Sequence, residues 1–129
     1  MEEQNKMQGI PVKVYRSNDR LMVAAPMPGL EPEDINVEVT AFGHLIISGE
    51  VRGLLKDIKE LLIDEWSVGN YYRELILPET VDGKRANVTY GNGVLVVVLP
   101  LSERSLPAHL SLEKVGPARG ERVGHSGHE

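Results

Sequence analysis

The chain has 129 residues, with 14 Lys plus Arg against 19 Asp plus Glu, a formal net charge of -5. A globular domain takes about 100 to 200 residues, so the length predicts one domain with a tail, and the acidic, mixed-sign balance excludes a protein that binds nucleic acid by displacing counterions from phosphates. At 41% hydrophobic and 26% charged residues there is enough apolar material for a core, and the absence of cysteine excludes a disulfide framework, a thiolate zinc site and a cysteine nucleophile.

In chain order, the opening MEEQNKMQGI is polar and partly acidic, with no basic stretch leading into an apolar one. No secretory signal is therefore expected, and the expected compartment is the cytoplasm. VKVYR (12–16) and RLMVAAP (20–26) are separated by Ser17-Asn18-Asp19, residues that form turns through their own side chains, and together predict a hairpin. In DINVEVT, Ile35, Val37 and Val39 alternate with Asn36, Glu38 and Thr40, the pattern of a half-buried strand. HLIIS (44–48) and YYRELILP (71–78), each bounded by Gly or Pro, predict two more strands. ANVTY (86–90) and VLVVVLP (94–100) flank Gly91-Asn92-Gly93, which reach positive φ at little cost and favour a tight hairpin. Seven or so short strands with turn signals between them predict an all-β fold, an antiparallel β-sandwich. The run Val94–Val98 has no polar face and predicts a strand covered on both sides. The apolar stretch from Val94 to Leu101 is too short to span a bilayer.

One segment departs from alternation. In GLLKDIKELLIDEW, Leu54, Leu55, Ile58, Leu61 and Leu62 recur with the spacing of an amphipathic helix. No capping Ser, Thr, Asp or Asn precedes Leu54, however, and ELLIDEW can equally pair as an extended edge. Either way an apolar excursion between strands of a sandwich has to bury itself elsewhere, which predicts an interface. Beyond Pro100 the chain is rich in Gly and Pro and holds three of its four histidines, which predicts a flexible tail over 102–129. Within it Leu110 and Leu112 form an apolar patch that is stable only if it docks.

Fragments of catalytic motifs are present without their contexts. Gly83-Lys84 lacks the upstream glycine and the Ser or Thr of a phosphate loop. Ser111 and Lys114 have the spacing of a Ser-x-x-Lys pair, but in a Pro-flanked tail rather than on a rigid helix. His125, His128 and Glu129 lie at the chain end without a fixed third metal ligand. His44 reads as a solvated or hydrogen-bonded strand-edge histidine, and Asn87-Val88-Thr89 matches a glycosylation acceptor without a secretory context. The acids Glu31, Glu33 and Asp34 surround Pro32, as expected for a solvated turn, and Asp64 and Glu65 form a second acidic pair. No catalytic residue, cofactor or metal site is expected, so the chain reads as a binding or assembly module.

Several features in series resemble one family. Pro28-Gly29, Asp34-Ile35, Ser48-Gly49-Glu50, Gly69 with Tyr71 and Arg73, Leu77-Pro78 and Asn92-Gly93-Val94-Leu95 follow the order found in the α-crystallin domain of the small heat-shock proteins, bacterial type, over residues 12–100. The resemblance implies an immunoglobulin-like β-sandwich with a long dimerisation loop, acting as an ATP-independent holdase. Its partners would be unfolding client proteins and a second copy of the chain. It divides the chain into a short N-terminal arm (1–11), the domain (12–101) and a flexible C-terminal tail (102–129). The family's arm is rich in Phe, whereas this chain has Phe42 alone.

In the family, the region matching Val51 to Trp66 is a loop whose strand pairs with the partner's sheet. That implies a strand rather than a helix over 54–62, and a homodimer resting on Leu54, Leu55, Ile58, Leu61, Leu62 and Ile63, with Arg73 as an ionic partner across the interface; higher oligomers are left open. Trp66 is either a dimer anchor or core. The family's tail carries an Ile-x-Ile/Val motif that docks in an edge groove of a neighbouring dimer; here it falls on Leu110 and Leu112, whose side chains share one face of an extended segment. The groove that such a tail, or a client, would enter is expected among Ile35, Val37, Val39, Ala86 and Val88. The alternative is a co-chaperone adaptor of the CS-domain type, which has the same sandwich without the exchanged strand.

Overall fold

The computed structural model describes residues 7–50, 62–63, 70–116 and 119–124. Their strands form two sheets. Sheet A runs, across its width, β1 (Met7–Gly9), β6 (Asn70–Ile76), β5 (His44–Gly49), β4 (Ile35–Val39) and β9 (Ala108–Ser111). Sheet B runs β10 (Glu113–Gly116), β11 (Arg119–Arg122), β7 (Asn87–Gly91), β8 (Val94–Pro100), β3 (Arg20–Pro26) and β2 (Lys13–Arg16). Every pairing is antiparallel except that of β1 with β6.

Strands β2 to β8 are the seven expected from alternation, and the period of two decides what each one buries. In β4 Ile35, Val37 and Val39 are buried while Asn36 and Glu38 are exposed; in β3 Leu21, Val23 and Ala25 are buried. These side chains meet Leu45 and Ile47 of β5, Val88 and Tyr90 of β7, and Leu95, Val97 and Leu99 of β8 in one core. The result is the immunoglobulin-like sandwich, two inner faces packed on each other. The expectation that β8 is covered on both sides is corrected: Val94 is exposed and Val96 and Val98 are only half-buried. Val96 stands between Ala24 and Thr89, whose short side chains cannot roof it.

The connections place the functional region. Gly91 pairs with Val94, which leaves Asn92-Gly93 as a two-residue loop; both have positive φ, 53° and 78°, the type I′ geometry that matches strand twist. The chain crosses from β3 to β4 through Met27–Asp34. Two tyrosines from opposite sheets fasten this crossover: Tyr90 donates its hydroxyl to the Met27 carbonyl (2.7 Å) and Tyr71 to that of Pro28 (2.9 Å). The acids at Pro32 are not all solvated, as expected from composition. Asp34 is 8% exposed, and its carboxylate accepts the Glu31 backbone N–H at the start of a 3-10 turn, Pro32–Asp34.

Both ends of the chain are more engaged than their sequences suggest. Ile10 enters the core and β1 extends sheet A beyond β6, so the arm over 1–11 is held at its inner end. The stretch read as a flexible tail carries β9, β10 and β11 in its described part. These strands are short and mostly polar, so their own sequence does not specify them; the open edges of β4 and β7 supply the hydrogen-bond partners of β9 and β11, and β11 those of β10. Of the apolar excursion, Leu54, Leu55, Ile58, Leu61 and Trp66 lie outside the described residues, as do His125, His128 and Glu129.

Candidate functional site: a slot closed by the tail

The two sheets end side by side at β4 in sheet A and β7 in sheet B, and the tail laces these edges together. After β8 it is guided by backbone bonds: Ser102 N–H to the Thr80 carbonyl, Leu106 N–H to that of Val81, and Gly83 N–H to that of Leu106 (2.8 Å). Gly83 is required where the tail crosses, because a Cβ there would lie 2.7 Å from the Leu106 carbonyl oxygen and 2.9 Å from Val39 Cβ. The tail then pairs with β4 as β9, Ala108 across from Val39 and Leu110 across from Val37.

Residues directly opposite in an antiparallel pair project to the same side. Leu110 therefore points inward with Val37 and is fully buried (0% exposed), and Leu112 is 5% exposed, while Ser111 between them faces solvent. Ile35, Val37, Val39, Ala86 and Val88 are all buried in the same apolar cluster as these two leucines. In this structure the residues expected to line a groove are thus core residues, and the tail's two leucines join that core. Beyond Leu112 the tail passes to sheet B, where β10 and β11 pair with each other and β11 pairs with β7.

Other candidates fall elsewhere. Arg73 donates from Nη1 to the carbonyl of Ile10 (2.7 Å), a bond within the chain to the residue following β1. Leu62 and Ile63 are 84% and 75% exposed. His44 Nδ1 lies 2.7 Å from Glu74 Oε2 on the outer face of sheet A, and the Tyr72 hydroxyl donates to the other Glu74 oxygen at 3.2 Å. These hydrogen bonds, the His44 one foremost, hold the Glu74 carboxyl below its ordinary pKa, and burial together with the carboxylate holds the Tyr72 hydroxyl above its own.

Gly83-Lys84 opens a 3-10 turn capped by Asp82 rather than a phosphate loop, and Lys114 is engaged in an ion pair with Glu31 (3.3 Å). A shallow cleft of about 260 Å³ lies by Asp19, Arg20, Arg85, Asn87 and Pro100. Its charge is largely spent internally: Arg20 hydrogen-bonds Asp19, which lowers the Asp19 pKa and raises that of Arg20, and the Asn87 carboxamide oxygen accepts the Gly124 N–H. Among the described residues no group of three or more His, Asp or Glu side chains is placed to hold a metal ion, and no helix is long and apolar enough to cross a membrane.

Sequence reasoning did not find Glu31, Gly83 and Gly120, which seat the tail, nor Ile10, which plugs the other end. Only the glycines left a signal, as small residues in turn-like contexts.

Comparison with known proteins agrees with this geometry. The profile of the Hsp20/alpha crystallin family matches residues 13–111. A probable 15 kDa heat shock protein of Leptospira interrogans is 37% identical over 90 residues, spanning 69% of this chain and 67% of the relative. Heat shock protein 16 of Schizosaccharomyces pombe is 32% identical over 97 residues, 73% of this chain and 67% of the relative. Among solved structures, heat shock protein 16.0 from Schizosaccharomyces pombe superposes with a TM-score of 0.68 at 29% identity, covering 77% of this chain and 71% of that one. The chain belongs to the Hsp20/alpha crystallin family, the small heat-shock proteins, and its sandwich is an α-crystallin domain.

Proposed function

We propose that this protein is an ATP-independent holdase that takes exposed apolar segments of unfolding proteins into the slot between β4 and β7. The observation that carries the reading is the burial of Leu110 and Leu112 from a segment that pairs with β4 by backbone bonds. A site that accepts two alternate apolar side chains along an added strand is not selective for one sequence. Strand addition supplies backbone affinity and the pockets supply a preference for apolar side chains. Burying each such side chain is worth about 1.5 to 3 kcal/mol, so a client segment can replace the tail without nucleotide hydrolysis. The reading assigns no catalytic residue and no cofactor, and the cytoplasm as the compartment.

The same reading includes a homodimer formed by strand exchange. β2 ends sheet B with all four residues exposed, an edge able to take a strand from a second copy. The exchanged segment would carry Leu54, Leu55, Ile58 and Leu61, continuing into Leu62 and Ile63, whose exposure in the single chain is what a missing partner would leave.

Two measurements test this. Light-scattering mass of the full chain is expected to report a dimer or larger, falling to the monomer in the double substitution Leu62→Asp with Ile63→Asp. Aggregation of a heat-labile client without ATP is expected to be suppressed by the native chain. A monomer that suppresses nothing would end the holdase reading in favour of an adaptor with one specific partner.

A further inference from the structure

We propose that the hairpin β10–β11 is a latch acting in cis, which keeps Leu110 and Leu112 in the chain's own slot and sets how readily that slot opens. The inference rests on the slot being the binding site proposed above. The hairpin lies beyond residue 111, where the match to the family's profile stops.

Its seat is built from three kinds of contact. On the sheet B side β11 pairs with β7 through Gly120 across from Tyr90, Glu121 from Thr89 and Arg122 from Val88, and Arg122 Nη1 donates to the Ala86 carbonyl at 3.3 Å. Toward the β3–β4 crossover Gly120 rests on Pro32, so closely that a Cβ would lie 2.7 Å from the Pro32 Cγ and 2.8 Å from the Glu113 carbonyl oxygen. Neither a proline ring nor a backbone carbonyl can swing aside. The third contact is electrostatic: Lys114 Nζ lies 3.3 Å from Glu31 Oε1, an oxygen shielded from water.

These contacts decide which surfaces a second chain can use. With β9 on β4 and β11 on β7, both sheet edges beside the slot are occupied, and another strand cannot add to either. The latch has to leave before the slot is free. Binding from outside is then weakened by the fraction of molecules in which the tail is released.

The test uses the full chain, Gly120→Val and Lys114→Glu, with a fluorescent synthetic peptide of residues 106–113 as probe. Hydrogen exchange of the 108–122 amides reports latch release. Gly120→Val is expected to expose these amides and to bind the peptide at least about tenfold more tightly than the native chain. Lys114→Glu replaces a half-exposed side chain outside the core, so the fold is retained, and it is expected to gain roughly threefold. Released amides with unchanged peptide affinity would overturn the latch, and so would amides that stay protected in Gly120→Val. Suppression of client aggregation by the same variants separates the two readings. Tighter peptide binding without a gain in suppression upholds the latch and retires the slot as the holdase site.

Discussion

Leu110 stands directly across from Val37 in the β9–β4 ladder, and neither side chain is reached by solvent. A residue far outside the compositionally ordered part of the chain thus completes the core of the sandwich. Truncating Leu110 to Ala removes a fully buried side chain, a change that costs about 2 to 5 kcal/mol in a rigid core. The loss here is expected to fall mainly on tail docking, because β9 can leave while β4 stays paired with β5. Amides of Ala108–Ser111 should lose most of their exchange protection in Leu110→Ala, while those of β5 keep theirs.

Gly83 faces a different constraint, since its neighbours are backbone and β-carbon atoms of Leu106, Val39 and Ala108. Adding a methyl group forces the crossing tail outward or the 3-10 turn Gly83–Arg85 inward, an overpacking cost of about 1 to 3 kcal/mol. Gly83→Ala should lower the melting temperature by several degrees in thermal denaturation followed by circular dichroism. An unchanged melting temperature would show that the crossing is loose enough to absorb a methyl group.

The strands β2 to β8 were legible because alternation states both the element and its buried face, and Asn92-Gly93 states the turn. Covering was less legible. The β-branched run at Val94–Val98 marks a strand, but whether its second face is roofed depends on neighbours such as Ala24 and Thr89. The tail strands were illegible for a related reason. EKVG and RGER carry no apolar alternation; RGER becomes a strand on the open edge of β7, and EKVG pairs in turn with RGER. Leu110 and Leu112 stood out as a patch that had to dock, whereas the seat of Glu31, Pro32 and Gly120 is created by folding and has no local pattern.

Tyr90 ties the crossover to sheet B through a buried hydrogen bond to the Met27 carbonyl. Tyr90→Phe keeps the ring and removes the donor, leaving that carbonyl unsatisfied, and is expected to destabilise the protein by about 1 to 3 kcal/mol in urea unfolding. Burial, the leading cause, raises the Tyr90 pKa above the ordinary tyrosine value. Because the folded state holds this proton more tightly than the unfolded one, the contribution is fully present below the ordinary tyrosine pKa. It is lost as pH rises through the folded value. Absorbance titration should show two tyrosines, Tyr72 and Tyr90, ionising late in the native chain, and the one that disappears in Tyr90→Phe is Tyr90.

Glu74 gives the opposite sign. Its folded pKa is lowered, first by the His44 hydrogen bond and then by that of Tyr72. The resulting stabilisation is present above the ordinary glutamate pKa and is lost as pH falls through the folded value. The site is solvent-exposed, so the effect belongs in a titration curve rather than in a large change of stability. In a carboxyl-detected nuclear magnetic resonance titration Glu74 should ionise below the ordinary glutamate range, and His44→Ala should move it upward. A Glu74 midpoint unmoved by that substitution would assign the shift to Tyr72.

Arg73 decides between a role within the chain and one across the dimer. Its bond to the Ile10 carbonyl holds the residue that follows β1, and Ile10 itself is buried, so the guanidinium fixes where the N-terminal segment enters the core. A charged donor on a backbone carbonyl is worth about 1.5 to 3 kcal/mol, enough to hold a strand as short as β1. Arg73→Ala should therefore release β1 from β6, seen as faster exchange of the Met7–Gly9 amides, with the light-scattering mass unchanged. Arg73→Lys keeps the charge but replaces the planar fork with a single ammonium, and it should restore that protection only in part. If Arg73→Ala instead dissociates the protein while β1 stays protected, the side chain acts across the dimer, and its bond to Ile10 is incidental.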